Sequence, residues 1–269
     1  MTAVATTRFA TSADGTRIAF ERMGSGPALV LVDGAMCYRE FGPARDVATE
    51  LADSYTVYFY DRRGRGESGD TEPYAVQREV EDLGAVLAAT GEVPYVMGQS
   101  SGAALVLEAA ASGVPMKKLA AYESPFVGLR PGKDGQPRDY LAELDELLSR
   151  GDRGAAVGYF MVDMVGAPKF VPLMMRLMPK AWKQLRAVAH TLPNDARIMG
   201  ARFTVPVERF SSIAVPSLIM GGSKSKPEML DAQEQIATAV PGARHVVLAG
   251  QTHQVSPKAL SPELRAFFS

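Results

Sequence analysis

At 269 residues the chain has room for one large α/β domain or two small ones, and no long polar linker divides it, so one domain with an insertion is the simpler reading. Hydrophobic residues make up 46% and the formal net charge is −1, which supports a sizeable core and gives no electrostatic case for nucleic acid or an anionic membrane. Cys37 is the single cysteine, which excludes an intramolecular disulfide and a cysteine-rich zinc site.

The elements follow in chain order. Charges interrupt every apolar stretch from Met1 to Arg22, and no window reaches the length of a membrane helix or a signal-peptide core, so a soluble, cytoplasmic protein is expected. Arg8-Phe9-Ala10 and Arg17-Ile18-Ala19-Phe20 alternate around the turn Ala13-Asp14-Gly15-Thr16 and predict a hairpin. The aliphatic run Ala28 to Val32 has the pattern of a strand buried on both faces, which implies a parallel sheet. A helix around 42–51, a strand 56–60, a helix 75–90 and the strand Tyr95-Val96-Met97 continue a βαβ repetition. A strand over 118–122 follows, and after a long interruption the pattern resumes with strand 216–220, helix 227–240, strand 244–248 and helix 256–268.

The interruption, 124–213, contains no clear strand and several helix-like stretches separated by Pro131, Pro168, Pro172, Pro179 and Pro193. The expected organisation is therefore a core of 1–123 and 214–269 with a helical cap insertion at 124–213. The insertion is rich in methionine and aromatic residues. They either pack it onto the core or line an adaptable apolar pocket, and Phe160, Met164, Met174 and Met178 are the candidates for the second role.

The most informative motif is Gly98-Gln99-Ser100-Ser101-Gly102, between a strand and the helical run Ala103 to Ala111. A strand that turns sharply into a helix crowds its corner, so the positions two residues either side must lack bulk, as Gly98 and Gly102 do. The corner residue, Ser100, then projects off the sheet edge, and the next amide, that of Ser101, points to where an oxyanion would form.

Taken together these residues resemble the α/β-hydrolase superfamily over nearly the whole chain. Leu29-Val30-Leu31-Val32-Asp33-Gly34 is similar to its strand before the oxyanion loop, with aspartate where histidine-glycine is usual. Asp61-Arg62-Arg63-Gly64-Arg65-Gly66-Glu67-Ser68 resembles its D-x-R-G-x-G-x-S turn, and Ala249-Gly250-Gln251-Thr252-His253 resembles the loop that delivers a catalytic histidine. The subgroup most resembled is that of small esterases and cofactor-free haloperoxidase-like members. The resemblance implies an α/β-hydrolase fold, a mostly parallel eight-stranded sheet flanked by helices, with Ser100 as nucleophile, His253 as general base, and the amides of Ser101 and Ala35 as oxyanion hole. Asp33, Gly34 and Met36 would border the substrate. His190, in the insertion, and His245, within a strand, read as structural.

The acid departs from that pattern. In most members an aspartate follows the strand expected at 217–220, but here the stretch is Gly221-Gly222-Ser223-Lys224-Ser225-Lys226. Glu123, at the end of the preceding strand, is the candidate, because neighbouring strands run about 5 Å apart and some lipases of the superfamily place their acid there. Alternatively Glu123 caps the start of the insertion, and Asp33 and Asp231 are the other carboxylates in play. The expected activity is cofactor-independent serine hydrolysis of a small hydrophobic ester, thioester or lactone, with no metal. A lyase or isomerase on the same fold and a non-catalytic small-molecule binder are the rival readings. Nucleic acid and membrane are not expected as partners, and a homodimer is left open.

Overall fold

The computed structural model describes residues 6–132 and 134–269, so Met1 to Ala5, the start of the segment read as lacking a signal peptide, lie outside the described residues. The hairpin is formed by β1 (Arg8–Thr11) and β2 (Arg17–Gly24). Then come β3 (Ala28–Val32), α1 (Ala44–Leu51), β4 (Thr56–Tyr60), α2 (Val76–Ala88), β5 (Tyr95–Gln99), α3 (Ser101–Ala111) and β6 (Leu119–Tyr122). One eight-stranded sheet has the order β1-β2-β4-β3-β5-β6, completed by β7 (Ser217–Gly222) and β8 (Arg244–Leu248). The pairs β1–β2 and β2–β4 are antiparallel; every pair from β4 to β8 is parallel.

The aliphatic run of β3 explains its central place. Successive side chains on a strand point to opposite faces, and here both faces are covered: Val30 and Val32 pack into one core cluster while Leu29 and Leu31 pack into the other. Tyr58 and Tyr60 against Val57 and Phe59 repeat the division on β4. One face is covered by α1 and α11 (Pro257–Phe268), the other by α2, α3 and α10 (Pro227–Ala239), whose apolar residues belong to the same clusters. Each fully buried Leu or Val contributes about 1.5–3 kcal/mol relative to exposure, so the doubly covered strands carry much of the core.

Between β6 and β7 run α4 (Tyr140–Ser149), α5 (Arg153–Tyr159), a π-helical turn (Phe160–Met164), α6 (Val171–Arg176), α7 (Pro179–Val188), α8 (Leu192–Ile198) and α9 (Val207–Phe210). Asp139 and Asp152 begin α4 and α5 by accepting the Ala142 and Ala155 amides at 3.0 and 2.8 Å. Pro172, Pro179 and Pro193 occupy first turns of α6, α7 and α8. There the missing N–H costs nothing, so these prolines start helices rather than merely separating them. No helix among the described residues is long and apolar enough to cross a membrane.

Candidate active site

Ser100 lies at the corner between β5 and α3 with φ 58° and ψ −131°. Its amide donates to the Tyr122 carbonyl at 2.9 Å, which pins the corner to the neighbouring strand. A Cβ at Gly102 would come within 2.2 Å of the Val32 carbonyl oxygen, and one at Gly98 within 2.5 Å of the Gly102 carbonyl oxygen. Both glycines are therefore demanded by close approach. Among the described residues only Met36, Ser100, Glu123 and Phe203 have positive φ without being glycine. Each such residue costs about 1–3 kcal/mol, and all four lie in or beside this site.

His253 arrives on the loop between β8 and α11, which is held from below. Tyr122 donates its hydroxyl to the Thr252 carbonyl at 2.6 Å, and the Gln99 amide nitrogen donates to the His253 carbonyl at 3.0 Å. The imidazole is thereby placed with Nε2 3.1 Å from Ser100 Oγ and Nδ1 2.8 Å from Glu123 Oε2. Glu123 is wholly buried. Its other oxygen, Oε1, accepts the Gly222 amide at 2.7 Å and the Ser225 hydroxyl at 2.5 Å. Burial pushes the Glu123 pKa up, but hydrogen bonds from His253, Ser225 and Gly222 and the His253 charge outweigh it and hold it below its ordinary value. An ionised carboxylate, an imidazole and a hydroxyl are thus linked in one chain of hydrogen bonds.

Of the other carboxylates considered, Asp231 is exposed on α10. Asp33 is buried away from the cavity, where burial pushes its pKa up to about 7 against the Ala44 amide and the Arg65 and Arg62 guanidinium groups. Neither hydrogen-bonds His253. His190 faces Asp70 at 3.5 Å and His245 is exposed on β8; neither lines the cavity.

Above Ser100 lies a cavity of about 890 Å³, bordered by Gly34, Ala35, Ser100, Ser101, Glu123 and His253 from the sheet side and by Phe160, Met164, Val165 and Phe203 from the segment between β6 and β7. Ser101 is the first residue of α3, so its N–H has no intrahelical acceptor and is free for an incoming oxygen. Four residues expected to border the substrate do not line this cavity. Asp33 and Met36 are buried outside the lining. Met174 and Met178 are 56% and 57% exposed and also lie outside it. The reason is rotational: α6 turns Pro172 and Met175 toward the protein, which sends Met174 outward. Apolar composition alone does not reveal that phase.

A second buried layer escaped the sequence. Asp195 of α8 accepts the Ser101 hydroxyl and Arg62 Nη1, both at 2.7 Å, through Oδ1, and Arg65 Nη2 at 2.8 Å through Oδ2. Arg62 is also paired with Glu79 at 2.6 Å, and Arg65 Nη1 donates to the Gly34 carbonyl at 2.7 Å. Arg62 and Arg65 are 1% exposed. The arginines of the 61–68 turn therefore fasten three things together: the loop after β3 at Gly34, the side chain of Ser101, and the segment between β6 and β7 through Asp195. Burial pushes the Asp195 pKa up, yet the two guanidinium groups and the Ser101 bond bring it below its ordinary value. Nothing in the sequence marks Asp195, 133 positions from Arg62. Among the described residues no group of three His, Cys, Asp or Glu side chains is placed to hold a metal ion.

The sheet order, the strained serine corner and the histidine loop after β8 define the α/β-hydrolase fold. Residues 26–261 match the model of the alpha/beta hydrolase family, and the chain belongs to that family. It is similar to an alpha/beta hydrolase from Sphaerobacter thermophilus DSM 20745, whose crystal structure is 47% identical with a TM-score of 0.88, over 97% of this chain and 100% of that one. Among curated relatives it is 34% identical to an N-formylmaleamate deformylase of Pseudomonas putida over 161 residues, 57% of this chain and 56% of that protein. It is 38% identical to an uncharacterized hydrolase, YraK, of Bacillus subtilis over 98 residues, 35% of each. The chain thus spans about a third and just over half of the lengths of those two relatives.

Proposed function

We propose that the protein is a serine hydrolase that cleaves a small, mainly apolar ester, thioester or lactone through an acyl-enzyme. The observation that carries this reading is the continuous chain Ser100 Oγ, His253, Glu123 at 3.1 and 2.8 Å beneath the cavity. In this reading Ser100 Oγ attacks the acyl carbon as its proton passes to His253 Nε2, and the carbonyl oxygen, now an anion, is held by the amides of Ser101 and Ala35. Nε2 then returns the proton to the leaving group as the C–O or C–S bond breaks. Water, deprotonated by the same nitrogen, adds to the acyl carbon and releases Ser100. Glu123 keeps Nδ1 protonated and stabilises the imidazolium. Residues 124–213 serve as the cap that shapes the acyl pocket, with Phe160 and Met164 as its apolar wall.

The relationship to a deformylase, whose name specifies cleavage of an N-formyl group, is compatible with acyl transfer from nitrogen by the same residues. A fluorophosphonate probe, which labels base-activated serines, tests the proposal. Stoichiometric labelling at Ser100 is expected, and its loss in both Ser100→Ala and His253→Ala. An unlabelled Ser100 in the folded wild-type protein at saturating probe refutes it.

A further inference from the structure

The near-zero net charge conceals a local imbalance. From 164 to 194 the chain contains five basic residues, Lys169, Arg176, Lys180, Lys183 and Arg186, and no aspartate or glutamate, although the whole chain is at −1. All five are exposed, and among the described residues none pairs with a carboxylate.

The same stretch holds the molecule's main apolar exposure. Six of the ten large hydrophobic side chains that are exposed among the described residues lie between Val165 and Met178, led by Leu177 at 80%, Leu173 at 62% and Phe170 at 58%. Phe170 and Met174, and Leu173 and Leu177, stand four apart on the outer side of α6 and its two caps, whose Pro172 and Met175 face inward, and exposed Met178 follows at the start of α7. On α7, Lys180, Lys183 and Arg186 follow at intervals of three on the side opposite buried Leu185 and Val188. Arg176 lies over the Trp182 ring at 5.4 Å, which joins the two helices where apolar crown meets basic rim.

An apolar helix crown on a segment that carries five exposed cations and no carboxylate of its own matches the chemistry of a segment lying in a lipid–water interface. Charge decides between the candidate occupants. A second copy of this chain in a two-fold contact would bring five more cations against the first five, whereas phosphate headgroups neutralise them. We propose that this face docks on an anionic lipid surface, with Phe170, Leu173 and Leu177 entering the headgroup region and the basic residues of α7 against lipid phosphates. Val165 both borders the cavity and is 49% exposed, so docking turns the cavity mouth toward the interface. The inference does not depend on the hydrolase reading.

Co-flotation of the full chain with vesicles tests it directly. The protein is expected to float with phosphatidylcholine vesicles containing phosphatidylglycerol, to release as salt shortens the Debye length, and to stay behind with phosphatidylcholine alone. Lys180→Gln/Lys183→Gln should weaken partitioning about thirtyfold, and Leu173→Ser/Leu177→Ser at least about tenfold, with both variants melting like the wild type. Failure of the wild type to float with the anionic vesicles overturns the proposal. So does equal binding to both vesicle types, or a concentration-dependent dimer in sedimentation that Leu173→Ser/Leu177→Ser abolishes while anionic vesicles bind nothing.

Discussion

Replacing Glu123 by glutamine isolates the role of the carboxylate, because the surrounding donors dictate how the new side chain must lie. Oε1 accepts both the Gly222 amide and the Ser225 hydroxyl, so the glutamine oxygen is held at that position and its NH₂ group is turned toward His253. Nδ1, now 2.8 Å from a donor instead of an acceptor, must give up its proton. The imidazole is then protonated on Nε2, the atom 3.1 Å from Ser100 Oγ, and cannot take the serine proton. The alternative orientation sets NH₂ against the Gly222 N–H, a donor that cannot reverse, in a site with no exposure, and is worse. Loss of a triad acid by carboxamide replacement costs about 10⁴-fold in kcat in serine proteases, and about 5 kcal/mol of transition-state stabilisation is the corresponding expectation here. Steady-state turnover of p-nitrophenyl esters by Glu123→Gln, with its melting curve recorded alongside, provides the measurement. A folded variant that retains kcat within about tenfold refutes the argument and removes Glu123 from the mechanism.

Two further substitutions test the buried layer. Asp195→Asn leaves Arg65, 1% exposed, with only neutral acceptors, so a loss of about 3 kcal/mol or more is expected in chemical denaturation, together with reduced turnover as Ser101 and the Gly34 loop loosen; stability equal to the wild type contradicts this. Asp33→Asn should alter the pH dependence of stability. The native state holds a proton on Asp33 to about pH 7 that the unfolded chain releases near its unperturbed 3.8, so wild-type stability falls as pH rises between those values and levels off above. Asparagine has no proton to release. The variant's stability relative to wild type should therefore rise by on the order of 4 kcal/mol from about pH 4 to about pH 8, and a pH-independent difference shows that Asp33 is ionised throughout.

Local signals carried most of the fold into the sequence. The continuous run of β3 and the glycines flanking Ser100 report constraints within a few residues, and the core strands and helices lie within two residues of where pattern places them, except β2, which runs four residues past Phe20 to Gly24. The serine, the histidine and the buried glutamate are likewise visible as types at particular strand ends. Burial phase in the insertion is not, because a short helix apolar on both sides gives no clue to which side turns inward; Met164 borders the cavity while Met174 and Met178 face outward. Long-range ion pairs are also hidden. In the sequence Arg62 and Arg65 carry no mark of burial, yet in the interior both pair with Asp195, which approaches from α8.

The end of β7 gives the displaced acid its physical sense. A Cβ at Gly222 would lie 2.5 Å from the Gln251 carbonyl oxygen and 2.7 Å from the Tyr122 hydroxyl, so no side chain fits at this point in the present loop. Tyr122 OH in turn holds the loop of His253 by the Thr252 carbonyl. With a side chain excluded, the backbone amide of Gly222 is left uncovered, and with Ser225 it donates to Glu123 from the adjacent strand. The stretch lacking a carboxylate therefore supplies two hydrogen-bond donors to the carboxylate one strand away. Placing an aspartate at residue 222 would drive its side chain into Tyr122 and Gln251 and bring a second negative charge beside Glu123. The glutamate on β6 and the bare glycine on β7 form one arrangement, and each is intelligible only with the other.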